Sequence, residues 1–327
     1  MTAIEFSPED VVRQVELAEG RIRPFIRATP LEPSPMLSAA AGCQVHLKLE
    51  NVQVTGSFKA RGAFNKLLSL TDAERAAGIV TASTGNHALA VAHALGLLGV
   101  RGEIFLPSTV SPLKLEALRS RGADLRLVEA DPGRVETIAR AHADDTGRVF
   151  ISPYNDPQVI GGQGTVAVEL MRELEAMDTV LVPVGGGGLI AGIGGFLKAH
   201  DPAVRVVGCQ PAASPVLAAS VAAGRILEMP SGVSLSDATL GLVEKGAITF
   251  PICQSCVDEW LVVEEAELRA AVRLILERHS LLIEGAAALP VAALLGARGR
   301  YRGRTVALVL SGSHLALPDL AQLLSGD

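Results

Sequence analysis

Aromatic side chains are scarce in this sequence: 8 Phe, 2 Tyr and 1 Trp come to 3% of 327 residues, so the core must be built from Ala, Val, Leu and Ile, and no ring-lined stacking pocket is evident. Charge is sparse as well. Charged residues make up 20% against 49% hydrophobic ones, the balance of a globular protein with a large core and not of a disordered chain. The net charge is −6, and the few basic residues are scattered, which argues against a nucleic-acid surface or a polybasic membrane patch. Cysteine is limited to Cys43, Cys209, Cys253 and Cys256. The last two form a single C-x-x-C with no second such pair to complete a zinc site, so free thiols of a cytoplasmic protein are expected and no metal. The N-terminus shows no basic stretch followed by an apolar one, so no secretory signal is expected. The uncharged stretch Thr179–Leu197 approaches membrane-spanning length, but Pro183 and its many glycines read as a buried strand, a loop and a helix start.

The length exceeds the ~100–200 residues of one domain, so two lobes or one large α/β unit are expected. Ser7 is placed to cap a first helix, with Pro8 at its first position and Glu9 and Asp10 near its positive end. After a loop punctuated by Pro24, Pro30, Pro33 and Pro35, short apolar runs alternate with helical patterns. The expected strands are Val45–Leu49, Ile79–Ala82, Arg101–Leu106, Asp124–Val128, Val149–Ser152, Thr179–Val184, Val204–Gln210, Glu259–Val263 and Thr305–Leu310. Helical stretches include Asn86–Leu98, Leu113–Arg121, Gly164–Glu175 and Glu265–Arg278. Such alternation means βαβ units and parallel sheets covered by helices. No linker or repeat separates lobes, so any division is an intertwined one.

Three strand–turn–helix segments carry chemistry. In Val182-Pro183-Val184-Gly185-Gly186-Gly187-Gly188-Leu189, an apolar strand ends in glycines and a helix follows. Backbone N–H groups and a helix N-terminus there cradle a phosphate. A dinucleotide site would want an acid at the end of the next strand, which instead reads Val207-Gly208-Cys209-Gln210, and a P-loop would want Lys where Leu189 stands. In Ser57-Phe58-Lys59-Ala60-Arg61-Gly62-Ala63, Lys59 falls in the first turn of a helix beside Phe58, where desolvation would lower its pKa toward that of a Schiff-base nucleophile. In Ser83-Thr84-Gly85-Asn86-His87, hydroxyls, an amide and free N–H groups at a helix start suit a carboxylate.

Together these segments resemble the fold-type II pyridoxal 5′-phosphate enzymes, specifically the threonine/serine dehydratase and serine racemase family. The resemblance runs from Arg21-Ile22 and Thr29-Pro30-Leu31 through the three segments to Gly162-Gln163-Gly164-Thr165, Ile283-Glu284-Gly285-Ala286 and Ser311-Gly312. It implies an α/β fold like tryptophan synthase β, with two parallel-sheet lobes and the cofactor between them. The larger lobe is expected at 1–70 and 150–327 and the smaller at 71–149. By resemblance Lys59 is the Schiff-base lysine and moves the Cα proton. Phe58, Gly185, Gly186, Gly187, Gly188, Leu189, Asn86, Glu284 and Ser311 hold the cofactor, Ser311 at the pyridine nitrogen and Asn86 at the 3′-oxygen. Ser83, Thr84, Gly85, Asn86 and His87 form the substrate carboxylate pocket.

The neutral Ser311 hydroxyl suits β-elimination better than transamination, because an aspartate there would keep the ring protonated and a deep electron sink. The expected activity is a dehydratase that turns a β-hydroxy amino acid into a 2-oxo acid and ammonia. Departures from the family pattern shape the expectation. Ser313-His314 stand in place of Gly-Asn, and Gln210 stands where relatives with a divalent cation carry glutamate. Thr84 replaces the serine that serves the opposite face of Cα in racemases, which disfavours an amino-acid racemase as the alternative. Leu235-Ser236-Asp237-Ala238-Thr239-Leu240-Gly241 with Glu244 resembles relatives acting on hydroxyectoine-derived or unusual 3-hydroxy amino acids. β-Replacement and a non-catalytic cofactor-binding protein are the remaining rivals, the latter opposed by the intact Lys59, Asn86 and Ser311 set. The family further implies a homodimer, and the end of the chain at Asp327 leaves no expectation of feedback control by isoleucine.

Overall fold

Short apolar runs bounded by turn residues become ten strands in the computed structural model, which describes residues 6–130, 132–297 and 299–325. They are β1 (Leu31–Pro33), β2 (Gln44–Lys48), β3 (Ile79–Ala82), β4 (Gly102–Pro107), β5 (Asp124–Val128), β6 (Val149–Phe150), β7 (Thr179–Pro183), β8 (Arg205–Pro211), β9 (Glu259–Val263) and β10 (Thr305–Val309). One sheet has the order β1-β2-β10-β7-β8-β9, the other β5-β4-β3-β6. All pairings are parallel except β1 with β2. The chain thus has the α/β, parallel-sheet architecture expected. The strand Leu31–Pro33 was not: its three residues lie within the stretch read as a Pro-punctuated loop. An edge position lets Pro33 forgo a ladder hydrogen bond on its outer side.

The six-stranded sheet is buried on both faces, and successive residues of a strand serve opposite cores. Val180 and Val182 pack with Val11, Val15, Ile160 and Ile190, from the helices Pro8–Ile22, Pro157–Glu173 and Gly188–His200. Leu181, between them, packs with Leu268, Val272 and Leu289 of the helices Glu265–His279 and Gly285–Gly296. The first helix starts as expected, Ser7 accepting from the Asp10 N–H in a capping box with Pro8 following. The helix expected from Gly164 begins earlier, at Pro157, where Asp156 accepts from the N–H groups of Gln158 and Val159. Thr179–Leu197 resolves into β7, the glycine turn and a helix, and among the described residues no helix is long and apolar enough to cross a membrane. All four cysteines are free and buried.

Candidate active site

Parallel strands point all their carboxyl ends the same way, and the turns that leave those ends form a crevice. Ser83 follows β3, Pro153 and Tyr154 follow β6, the glycine turn follows β7 and Ser311 follows β10. The helix Lys59–Ser69 begins against the last of these. Ser57 bridges Gly312, and the Phe58 N–H donates to the Ser311 carbonyl at 3.1 Å.

Lys59 is held at both ends. Its Nζ donates to the Pro153 carbonyl at 2.8 Å and lies 5.2 Å from the centre of the Phe58 ring. Two residues on, the fully buried Arg61 anchors the helix in an ion network. It donates to both Glu50 oxygens at 2.7 and 2.8 Å and to both Glu169 oxygens at 2.7 and 2.9 Å, while Lys48 meets Glu169 and Glu173 at 2.8 Å each. Bidentate forks of this kind fix orientation as well as distance. Burial pushes the Lys59 amine down to about 8, against the opposing pull of the Glu284 charge.

The glycine turn packs against Tyr154. A Cβ on Gly186 would lie 2.5 Å from the Tyr154 ring, and Gly187 has φ +91°, a conformation L side chains rarely adopt. Thr249 Oγ1 donates to the Gly186 carbonyl at 2.8 Å and fixes the turn from behind. Among the described residues, no backbone carbonyl or capping side chain accepts from the N–H groups of Gly185, Gly186, Gly187, Gly188 or Leu189. The turn is therefore a set of free donors at the positive end of a helix.

Opposite, the Asn86 Nδ2 stands 2.9 Å from each Glu284 oxygen. Equal distances to one carboxylate suit a single shared hydrogen, which leaves the second N–H free. The His314 N–H also donates to Glu284, at 3.2 Å. Burial pushes the Glu284 carboxyl up to about 7; the Asn86 amide opposes that rise and the nearby Asp237 charge adds to it. A Cβ on Gly312 would fall 2.6 Å from Glu284 Oε1, so glycine after Ser311 is what lets this carboxylate in. Ser311 Oγ, Ser57 Oγ and Asn86 Oδ1 are buried without a hydrogen-bond partner. Three orphaned polar atoms in one crevice call for a polar ligand.

The Ser83 turn sits at the carboxyl end of β3. Ser83 Oγ accepts from the Gly85 N–H at 3.2 Å, Thr84 is half-buried, and nothing lies within 4 Å of a Cβ built on Gly85. The His87 ring is turned away into the sheet. Thr81 Oγ1 donates to the Ile151 carbonyl, so it accepts from His87 Nε2 at 3.0 Å, which places the ring hydrogen on Nε2. Burial pushes this imidazole down to about 3 and the Lys59 charge adds to the fall, so the ring is neutral. What His87 presents to the crevice is its backbone N–H in the first helical turn.

Several residues about the crevice were given no role from sequence: Pro153, Tyr154, Ser57, Thr239 and Thr249. Tyr154 could have been found, since it is one of only two tyrosines and lies in the turn that leaves a strand.

Free N–H groups at a helix N-terminus, a desolvated lysine and a neutral hydroxyl lining, gathered at the carboxyl ends of parallel strands, are the features of a cofactor enzyme of the α/β class. The chain belongs to the pyridoxal-phosphate dependent enzyme family, which matches residues 22–312. It is 40% identical to an L-threonine ammonia-lyase of Geobacter sulfurreducens, covering 94% of this chain and 76% of that one. It is 37% identical to a catabolic L-threonine dehydratase of Escherichia coli K12, over 96% and 95% of the two chains. The fold matches that of maize serine racemase with a TM-score of 0.89 at 31% identity, covering 96% of this chain and 98% of that one. The residues in the crevice fit pyridoxal 5′-phosphate: free N–H donors for an anion, an amine of lowered pKa and orphaned hydroxyl and amide groups for the ring.

Proposed function

We infer that this chain is a pyridoxal 5′-phosphate-dependent ammonia-lyase of the dehydratase type, acting on a serine- or threonine-like β-hydroxy amino acid. The reaction removes the Cα proton and the β-hydroxyl as water. The enamine left behind tautomerises and takes up water, releasing a 2-oxo acid and ammonia. The observation that carries the reading is Lys59, whose amine combines burial with a lone carbonyl partner at 2.8 Å.

The bound cofactor would supply an electron-withdrawing ring that acidifies the Cα–H and holds the electron pair until the β-hydroxyl leaves. The rest is done by side chains and N–H groups. Gly185, Gly186, Gly187, Gly188 and Leu189 hold the phosphate. Asn86, braced by Glu284, offers its second N–H to the 3′-oxygen, and Phe58 packs beside Lys59. Ser311 offers the ring nitrogen a hydroxyl, which hydrogen-bonds without delivering a full proton. Ser83, Thr84, Gly85 and the N–H groups of Asn86 and His87 seat the substrate carboxylate. Lys59 Nζ, neutral in about one molecule in ten at pH 7 for a pKa of about 8, takes the Cα proton, which leaves with the β-hydroxyl as water; tautomerisation then moves a proton from the enamine nitrogen to Cβ.

A racemase is the second reading, favoured by the likeness to maize serine racemase. A β-branched Thr84 has one stiff rotamer and crowds the face opposite Lys59, which disfavours a second base there. Oxo-acid release and chiral chromatography of unreacted substrate, run in one vessel over serine, threonine and threo-3-hydroxyaspartate, separate the two. Oxo-acid release should exceed interconversion of enantiomers, and Thr84→Ser should raise the interconversion. Racemisation equal to or faster than elimination in the unmodified protein overturns the dehydratase reading. The same reading includes a smaller lobe near 71–149 closing on a larger one of 1–70 and 150–327, a homodimer, and a cytoplasmic location in keeping with four free thiols.

A further inference from the structure

Glu244 lies in an irregular segment between β8 and β9 that crosses the glycine turn, where the Thr239 Cα would stand 3.1 Å from a Cβ on Gly185. Three bonds converge on it. Its Oε1 accepts from Arg140 at 2.8 Å, its Oε2 accepts from Asn155 Nδ2 at 3.1 Å, and its backbone N–H donates to the Tyr154 hydroxyl at 3.0 Å. Asn155 closes the arrangement by accepting from the Ile248 N–H at 2.9 Å. Arg140 belongs to the helix Pro132–Thr146, which packs on the four-stranded sheet. There its guanidinium lies 4.2 Å from the centre of the Phe150 ring and meets Glu136, one turn earlier, at 2.8 Å. One residue thus joins a helix of the smaller sheet, the segment over Gly185 and the tyrosine against which Gly186 is packed. The charges are half-buried, where screening by water is weaker than at the surface.

We propose that Glu244 is a positioning residue for the phosphate cradle: by fixing Tyr154 through its backbone and Arg140 and Asn155 through its carboxylate, it sets how tightly the glycine turn grips phosphate. The proposal rests on the phosphate role of Gly185 to Leu189 given above. The gap between Gly186 and the Tyr154 ring is too small for a methyl group, so a ring that drifts takes away the surface that holds the turn's N–H groups in line.

The test compares pyridoxal 5′-phosphate with pyridoxal, which lacks only the phosphate. Dissociation constants of both are measured by equilibrium dialysis with the whole protein, for the unmodified chain and for Glu244→Gln, Arg140→Gln and Tyr154→Phe. The unmodified protein should prefer the phosphate form strongly, and each variant should lower that preference about tenfold, the effect of one hydrogen bond to the link. Glu244→Gln combined with Arg140→Gln should be no worse than the more affected single variant, because both break one link. Should Glu244→Gln not fold, Tyr154→Phe, which deletes a single hydroxyl, carries the same expectation. A variant that loses affinity for both compounds equally, or for neither, overturns the role of Glu244. No preference for phosphate in the unmodified protein would instead overturn the cradle reading itself.

Discussion

Adding pyridoxal 5′-phosphate to the apoenzyme at different pH values tests the desolvation of Lys59 directly. Only the neutral amine is a nucleophile, so the rate of forming a borohydride-reducible bond follows its population. A pKa lowered from 10.5 to about 8 means more neutral amine at any given pH below 10. For that value the neutral fraction is about 9% at pH 7, about 50% at pH 8 and about 91% at pH 9. The rate should therefore rise about fivefold from pH 7 to 8, about twofold from 8 to 9, and then level off. An ordinary lysine would gain about tenfold per unit up to pH 9 and beyond. Stopped-flow absorbance reads the rate, and dividing by the rate for a small model amine removes the titration of the cofactor's own groups. Lys59→Ala should show no reducible bond at all. A tenfold rise per unit persisting to pH 10 would refute the desolvation argument, and a reducible bond in Lys59→Ala would move the chemistry to another lysine.

Two further substitutions address the proposed partner of the ring nitrogen and the anchor of the Lys59 helix. Ser311→Asp should retain cofactor on dialysis yet lose ~10²–10⁴ in oxo-acid release, because a carboxylate keeps the ring nitrogen protonated; unchanged turnover would mean that the buried, unpartnered Ser311 hydroxyl serves something else. Arg61→Met should lower unfolding stability by ~3–5 kcal/mol in a urea titration, since it leaves Glu50 and Glu169 buried without the cation they share, and a loss below ~1 kcal/mol would show the network to be expendable.

Much of this architecture was open to reading because parallel strands buried on both faces appear as unbroken apolar runs. β3 and β7 are buried along their whole length, and both were placed to within a residue. β1 escaped because three residues ending in proline carry no periodicity, only an edge position supplied by β2. The helix from Pro157 was started late because Gly161, Gly162 and Gly164 depress helical propensity over its first turns. Tertiary packing overrides that penalty: a Cβ on Gly162 would stand 2.6 Å from the Arg61 carbonyl, so the glycines are what allow this helix and the Lys59 helix to touch. The site divides the same way. Lys59, the glycine turn and Ser83 to His87 each lie within one strand–turn–helix segment, where local order announces chemistry. Tyr154 and Glu244 meet across 90 residues of chain, and no local pattern announces that they meet. His87 was expected in the carboxylate pocket by resemblance alone, and Thr81, six residues back on β3, turns its ring into the sheet, which leaves only its backbone to face the crevice.

The distribution of charge accounts for the lowered pKa of Lys59, the proposed base. Full charges are concentrated beneath the crevice, where Arg61, Lys48, Glu50 and Glu169 neutralise one another and hold the Lys59 helix in place. Arg61 holds the Glu169 carboxyl down to about 2 against burial, so it stays ionised at any working pH. Around the reacting atoms the lining is neutral: Ser57, Ser311, the Asn86 amide and a His87 ring pushed down to about 3. In such surroundings a protonated lysine is costly to keep, and Lys59 comes down to about 8, with the Glu284 charge pulling the other way. The separation of a charged foundation from a neutral lining is therefore what leaves Lys59 Nζ both fixed in position and able to give and take a proton near neutral pH.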